Sequence, residues 1–259
     1  MRALNLLREA LHYRRAAFDA GLAACGFQVV RAIARPTPED VLVIWNRYGG
    51  YHEEACRFEA AGARVVVVEN GYLGKGWRGG DWYAMALGHH SGAGIWPVGG
   101  PQRWAKLGVE LAPWRDPAAA GDLLVLGQRG IGEPGLASPQ GWAEAVQRQF
   151  GGRIRPHPRD QAAATPLERD LAGARAVLTW HSAGALHALL AGVPVFYGFP
   201  RWIGAGAARP LWEFDLGPLH GDRQAMFERL IWAQWTLDEI AAGDALAHLL
   251  SLQEAACAC

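Results

Sequence analysis

"AVLTWHSAGALHALLAGVPVFYG", residues 176–198, carries a complete strand, helix and strand. Its first six residues, 176–181, are mostly apolar and predict a buried strand. Ser182 is a good N-cap for the helix that follows, and Gly192 is a typical helix end. Residues 193–198 predict a second apolar strand. Because apolar strands joined by one helix are typical of a parallel βαβ unit, this stretch predicts an α/β fold.

The same alternation runs through most of the chain. Strands are predicted at 40–45, 63–69 and 122–127, a short strand and corner at 153–158, and helices at 51–62, 138–152, 164–174, 222–235 and 236–252. Apolar residues at helical spacing predict a further helix over 3–24. These elements group into two α/β halves, residues 1–118 and residues 119–259, with the C-terminal helices in the second half.

Composition narrows the classes of function. The chain has 25 Lys and Arg against 25 Asp and Glu, so its net charge of +0 gives no overall attraction to nucleic acid. No apolar window reaches the ~18 residues of a membrane span, and the N-terminus lacks a signal-peptide pattern. We therefore expect no membrane span and a cytoplasmic location. The cysteines lack zinc-ligand spacing, so we expect no metal site at Cys25, Cys56, Cys257 or Cys259.

Polar residues follow the predicted strands of the second half. Gln128 follows one strand, and His157 follows the next strand along the chain. His181 and Ser182 follow the strand that opens the quoted stretch. The carboxyl ends of parallel strands share one edge of a sheet, where open α/β folds bind their ligands. The sequence therefore predicts a binding site that contains these four residues.

The chemistry of this edge favours a phosphate. Ala183 and Gly184 are small residues at the start of a predicted helix, where an anion can approach free backbone N–H groups. Arg155 and His157 can donate to the same phosphate, and the prolines on both sides of His157 fix its backbone before a ligand binds. The alternatives are that His157 is a structural histidine and that Ser182 is only an N-cap.

The first half supplies the candidate general bases. The stretch 70–117 is irregular and rich in glycine and tryptophan, and a loop-like segment of this length is usually functional. Asp81 is our first candidate to take a proton from a hydroxyl group, with Glu69 and His89 behind it. Each of the three also fits a role in structuring the loop.

Three stretches resemble a known family. They are similar, in order and spacing, to the nucleotide-sugar half of GT-B glycosyltransferases, in particular of the capsule polysaccharide Kdo transferase type. The resemblance covers about residues 120–215. The stretches are "LLVLGQ" at 123–128, "RIRPHP" at 153–158 and "AVLTWHSAGALHALLAGVPVFYGFPRW" at 176–202.

This resemblance implies two Rossmann-like halves that face a cleft, the acceptor domain first and the nucleotide-sugar-binding domain second. It implies that His157, Ser182 and the backbone near Ala183 hold the nucleotide phosphate, with Gln128 nearby. The sequence departs from the family pattern in the helix predicted after Ser182. There His187 replaces the acidic residue that binds the ribose in many GT-B enzymes. The donor sugar and nucleotide therefore stay open.

The resemblance implies metal-independent transfer of a sugar from a nucleotide-sugar donor substrate to a hydroxyl acceptor, with no other cofactor. Because the chain is short and interleaves aromatic with basic residues in 72–104, we favour hydroxymethylpyrimidine in DNA as the acceptor. This acceptor is typical of small viral enzymes, which work in the host cytoplasm. The alternatives are a saccharide of a surface polysaccharide, a nucleotide-sugar epimerase or hydrolase, and a non-catalytic nucleotide-sugar binding protein.

Overall fold

The structure is a computed structural model that describes residues 1–116, 120–159 and 165–252. The chain forms two compact units. One unit joins the residues up to Gly99 with the segment from Ile231 onward, and the other unit contains the residues between them. The predicted boundary at residues 118 and 119 lies outside the described residues.

The first unit contains a six-stranded sheet of order β11-β5-β4-β3-β1-β2. Its strands are β1 (Arg2–Asn5), β2 (Gln28–Val30), β3 (Val41–Trp45), β4 (Arg64–Asn70), β5 (Trp82–Leu87) and β11 (Gln234–Thr236). Its helices are α1 (Arg15–Ala24), α2 (Gly50–Glu59), α8 (Leu237–Ala242) and α9 (Asp244–Leu250). Strands β1 to β4 pair in parallel, whereas β5 and β11 are antiparallel to their neighbours. Apolar residues of β3 and β4 pack with Ala55 and Phe58 of α2 in one core cluster.

The predicted helix over 3–24 is wrong in its first part. Residues Arg2–Asn5 form β1, which lies between β2 and β3, and the helix begins only at Arg15. Ala3 and Leu4 are buried in this strand. The spacing of the leucines in this segment fits a helix, but hydrogen bonding to two neighbouring strands outweighs that local preference.

The C-terminal helices belong to the first unit, which corrects their predicted assignment to the second half. Strand β11 extends the sheet by pairing with β5, and it leads directly into α8. The predicted capping box of Thr236 and Glu239 is present at the start of α8. A Cβ atom on Gly21 of α1 would lie 2.0 Å from the Ile240 carbonyl oxygen, so a glycine is required where α1 and α8 meet.

The second unit contains a five-stranded sheet of order β10-β9-β8-β6-β7. Its strands are β6 (Asp122–Leu126), β7 (Arg153–Arg155), β8 (Ala174–Thr179), β9 (Val195–Tyr197) and β10 (Arg209–Pro210). Its helices are α3 (Gln102–Ala105), α4 (Trp142–Phe150), α5 (Leu167–Ala172), α6 (Gly184–Leu190) and α7 (Arg223–Leu230). Every pairing in this sheet is parallel, so the carboxyl ends of all five strands lie along one edge. The α/β fold class predicted from the sequence is confirmed in both units.

Candidate functional site

Gln128 and His181 are joined by two hydrogen bonds at the carboxyl edge of the second sheet. The backbone N–H of His181 donates to Gln128 Oε1 at 2.8 Å, and Gln128 Nε2 lies 2.9 Å from His181 Nδ1. The first bond fixes which amide atom is oxygen, so Nε2 is the donor to the imidazole. In a neutral His181 the ring proton therefore resides on Nε2.

His181 is a neutral hydrogen-bond donor at physiological pH. Burial lowers its pKa to about 4, although backbone groups of His181 and Leu136 oppose this shift. Its Nε2 atom is buried and has no hydrogen-bond partner of normal geometry within the described residues. Because buried polar groups in folded proteins are nearly always hydrogen-bonded, and the nearby Leu136 backbone makes no bond of normal geometry to Nε2, this donor can take a better-aligned acceptor.

Thr179, the last residue of β8, links this pair to Ser182. Its hydroxyl accepts the Ser182 backbone N–H at 2.8 Å and lies 3.5 Å from Gln128 Oε1. Ser182 Oγ in turn accepts the Gly184 N–H at 3.2 Å. Helix α6 begins at Gly184 with Ala183 at the N-cap position, so Ser182 lies just before the cap and not at it. Thr179 was not predicted as a site residue, although a hydroxyl residue at the end of an apolar strand is a recognisable signal.

His157 lies in a turn after β7 that hydrogen bonds hold in place, close to Gln128. The N–H of Gly127 donates to the Arg155 carbonyl at 2.8 Å, which continues the β6–β7 pairing past the strand ends. A Cβ atom on Gly127 would lie 3.1 Å from that carbonyl oxygen, so the glycine permits the close approach. The Arg159 N–H donates to His157 Nδ1 at 3.2 Å, and the proton of the neutral ring is therefore on Nε2. The half-buried His157 is a second imidazole donor at this edge.

Arg155 occupies a different environment from its histidine neighbour. Its guanidinium pairs with Asp170 of α5 and donates to the Thr165 carbonyl at 2.9 Å. Arg153 approaches the other Asp170 oxygen at 2.9 Å. The Asp170 side chain is only 9% exposed, so this ion cluster fastens α5 to β7. Contact between Arg155 and a phosphate remains a prediction, and the ion cluster gives Arg155 a structural role.

We expect Asp170→Asn to destabilise the protein by about 3 kcal/mol, because it leaves buried guanidinium charge without a counterion. Asp122→Asn is the matched control, since Asp122 lies 3.8 Å from Arg153 but is 71% exposed. That substitution should cost less than about 1 kcal/mol. Urea unfolding of both variants measures the difference. Equal losses of stability would contradict a structural role for the Asp170 cluster.

Glu69 is the buried acid of the first unit. It lies near the carboxyl end of β4, where its Oε1 accepts the Ser91 N–H at 2.6 Å and its carboxyl group hydrogen-bonds to Tyr72. Some of its surface remains exposed, but protein surrounds the carboxyl group. Burial raises its pKa to about 7 against these two hydrogen bonds. A carboxyl group with such a pKa can exchange a proton near neutral pH.

A loop after β5 holds Ser91 in place, and it also carries His89. The Arg47 backbone N–H donates to His90 Nδ1 at 2.9 Å, and the Arg47 guanidinium donates to the Gly88 carbonyl at 2.8 Å. Ser91 has a φ of 56°, a left-handed conformation that is uncommon for a residue other than glycine. Glu69 thus contacts the loop that also carries His89, through the Ser91 N–H.

Asp81 contacts a different set of residues. Its carboxylate lies 3.1 Å from Arg14 Nε and 3.7 Å from Lys75 Nζ. Both Lys75 Nζ and the Tyr83 hydroxyl donate to the His12 carbonyl, at 2.8 and 2.9 Å. This ion-pair cluster organises the segment before α1. The first-ranked base candidate therefore has two cationic partners, whereas Glu69 has none among its described contacts.

We expect Glu69→Gln to stabilise the protein at alkaline pH. The pKa of Glu69 is raised from 4.5 to about 7 in the folded protein, so its contribution to stability is fully present below pH 4.5. That contribution is lost as the pH rises through 7. The variant should exceed the native protein by roughly 3 kcal/mol at pH 8, with no gain at pH 4.5. Urea unfolding at both pH values measures this, and an equal gain at both would contradict the buried acid.

The described residues contain no group of three or more His, Cys, Asp or Glu side chains that could hold a metal ion. Within the same residues Cys25 and Cys56 are free thiols, and the predictions for Cys257 and Cys259 lie outside them. No helix in the described part of the chain is long and apolar enough to cross a bilayer.

Comparison with known proteins gives a likeness of fold. No protein-family profile matches the chain, and no curated protein sequence matches it. Among solved structures, the chain is similar to Thermosulfurimonas dismutans KpsC, beta Kdo 2,7 transferase, with a TM-score of 0.54 at 14% identity over 93% of this chain and 89% of that chain. It is similar to the beta Kdo 2,4 transferase of the same KpsC with a TM-score of 0.54 at 13% identity, over 87% of this chain and 89% of that one. At this identity the likeness shows the fold alone, and it confirms a two-domain α/β fold of the GT-B type.

Proposed function

We propose that the chain is a glycosyltransferase that moves a sugar from a nucleotide-sugar donor to a hydroxyl group of a saccharide. One observation carries the proposal. Gln128 holds the neutral His181 ring in one orientation, with an Nε2 that makes no hydrogen bond of normal geometry within the described residues, at the edge where parallel sheets bind ligands. The likeness in fold to two Kdo transferases supports the same reading.

In this proposal the donor phosphate lies at the carboxyl edge of the second sheet. His181 and His157 donate to it from their Nε2 atoms. Ser182 and the backbone of Ala183 stand beside it at the start of α6, whereas the Gly184 N–H already donates to Ser182 Oγ. Neutral imidazoles stabilise negative charge that grows on the leaving phosphate without a change in their own protonation.

Glu69 is the proposed general base. Its raised pKa suits proton transfer from an acceptor hydroxyl near neutral pH, and its hydrogen bonds to Ser91 and Tyr72 fix the carboxyl group. His89 belongs to the loop that supplies Ser91. Asp81 is the second candidate for the base, because its carboxylate already forms ion pairs with Arg14 and Lys75.

A saccharide acceptor replaces DNA as the favoured acceptor. The net charge of +0 gives no overall attraction to the phosphates of DNA. The fold likeness is to enzymes named as Kdo transferases. We also propose transfer without a metal ion, since no D-x-D pair stands in the sequence to bind a diphosphate through Mg²⁺.

Thermal shift against UDP-, GDP-, CMP- and dTDP-sugars and their free nucleotides tests this function. We expect one nucleotide family to raise the melting temperature, in the presence of a chelator as well as in its absence. Product analysis then compares saccharide and hydroxymethylpyrimidine DNA acceptors. Consumption of the donor without any acceptor would identify a hydrolase or epimerase, and the absence of stabilisation by every nucleotide would overturn the proposal.

A further inference from the structure

Trp212 is an exposed aromatic residue at the same edge as the proposed phosphate site. Strand β10 ends at Pro210, and Trp212 follows two residues later with 65% of its surface exposed. Among the described residues it is the one tryptophan that counts with the exposed large hydrophobic side chains. An exposed tryptophan ring at a ligand-binding edge offers a flat surface on which another ring can stack.

The segment that carries Trp212 is firmly anchored. Leu211 and Phe214 pack against the core cluster of the second sheet, and the Phe214 ring lies 4.7 Å from that of Phe196. The Trp212 ring itself meets the Tyr197 ring edge-on, with 6.3 Å between centroids and 76° between planes. Its backbone and one side of its ring are therefore fixed before any ligand binds. Such preorganisation lowers the entropy lost when a flat ligand stacks on it.

The charges beside Trp212 neutralise each other. Arg209 of β10 pairs with Glu213 at 3.2 Å, one residue on from the tryptophan. This pair leaves the exposed ring to act as an apolar surface next to balanced charges. A planar heterocycle fits that environment better than a phosphate, because it needs a π surface and no counterion.

The spacing of the strands places the end of β10 about a nucleoside's length from the end of β8, where the phosphate site lies. The sheet order β10-β9-β8 puts the ends of β10 and β8 two strands apart, which is roughly 10 Å. His181 and Ser182 follow β8, and Trp212 follows β10 along the same edge. A nucleotide whose phosphate meets His181 extends its base over about this distance. We propose that Trp212 stacks on the nucleobase of the donor nucleotide, an inference that rests on the proposed function.

Calorimetric titration tests this stacking. The native protein and the variants Trp212→Ala, Trp212→Phe and Leu216→Ala are each titrated with UMP, CMP, GMP and dTMP, and with ribose 5-phosphate. The sugar phosphate lacks a base, so the ratio of its Kd to that of the best nucleotide isolates the contribution of the base. Leu216 is the matched control, because it is 68% exposed in the same segment. Circular dichroism verifies that each variant is folded.

We expect Trp212→Ala to weaken the best nucleotide about tenfold and to leave ribose 5-phosphate unchanged. Trp212→Phe should keep most of the affinity, and Leu216→Ala all of it. If Trp212→Ala binds nucleotide as tightly as the native protein, or loses both ligands equally, the stacking inference is wrong and the phosphate site stands. If the native protein binds no nucleotide, the proposed function fails and the stacking inference fails with it.

Discussion

Replacing His157 with alanine is expected to lower kcat/KM about 100-fold or more. The substitution removes a neutral Nε2 donor that the Arg159 N–H and two flanking prolines hold in one orientation. Steady-state rates of donor consumption with a saccharide acceptor measure the loss. His157→Gln keeps a side-chain N–H donor, so it should recover part of the rate.

His220→Ala is the control for the loss of a histidine in the same unit. His220 is exposed and stacks on Trp114 with 4.8 Å between ring centroids, so its removal should leave the rate unchanged. A rate for His157→Ala within threefold of the native rate would remove His157 from the site. Equal losses in the His157 and His220 variants would point to a general loss of structure.

Glu69→Gln is expected to lower kcat by at least about 100-fold, because the amide cannot take a proton from the acceptor. The native rate should rise with pH through an apparent pKa of about 7, since the base works only in its ionised form. The same variant should be more stable than the native protein at pH 8. A variant that gains stability and loses activity is the signature of a strained functional group.

Asp81→Asn distinguishes the two acids. It breaks the ion pairs to Arg14 and Lys75, so we expect a loss of stability and at most a modest change in kcat. A full loss of turnover in Asp81→Asn with an active Glu69→Gln would reverse the assignment of the base. Rates measured across pH 5 to 9 for both variants decide the question.

Much of the fold was predictable because its strands are short apolar runs that alternate with helices. Residues 176–198 fold as predicted into β8, α6 and β9, and their parallel pairing predicted a shared carboxyl edge. Strand β1 was not predictable, because Leu4 fits a helical spacing and only its two neighbouring strands make it extended. Strand β11 has three residues, too few to predict which sheet it joins.

The candidate site was predictable to the extent that it follows from topology. Gln128, His157 and Ser182 were found because residues after parallel strands meet at one edge. The partners of Glu69 were not found, because Ser91 stands 22 residues away and reaches it through a loop of unusual backbone conformation. Arg155 was placed with the phosphate ligands because the sequence does not show that Asp170 pairs with it.

In the proposed site a nucleotide phosphate meets His157 and His181 at the carboxyl edge of the second sheet. Long-range ¹⁵N–¹H spectra of histidine-labelled protein, recorded during titration with the stabilising nucleotide, report on both rings. We predict that each ring carries a proton on Nε2, and that the nucleotide shifts these two Nε2 signals and not that of His220. Saturation with nucleotide that leaves the His157 and His181 signals unmoved would contradict the account.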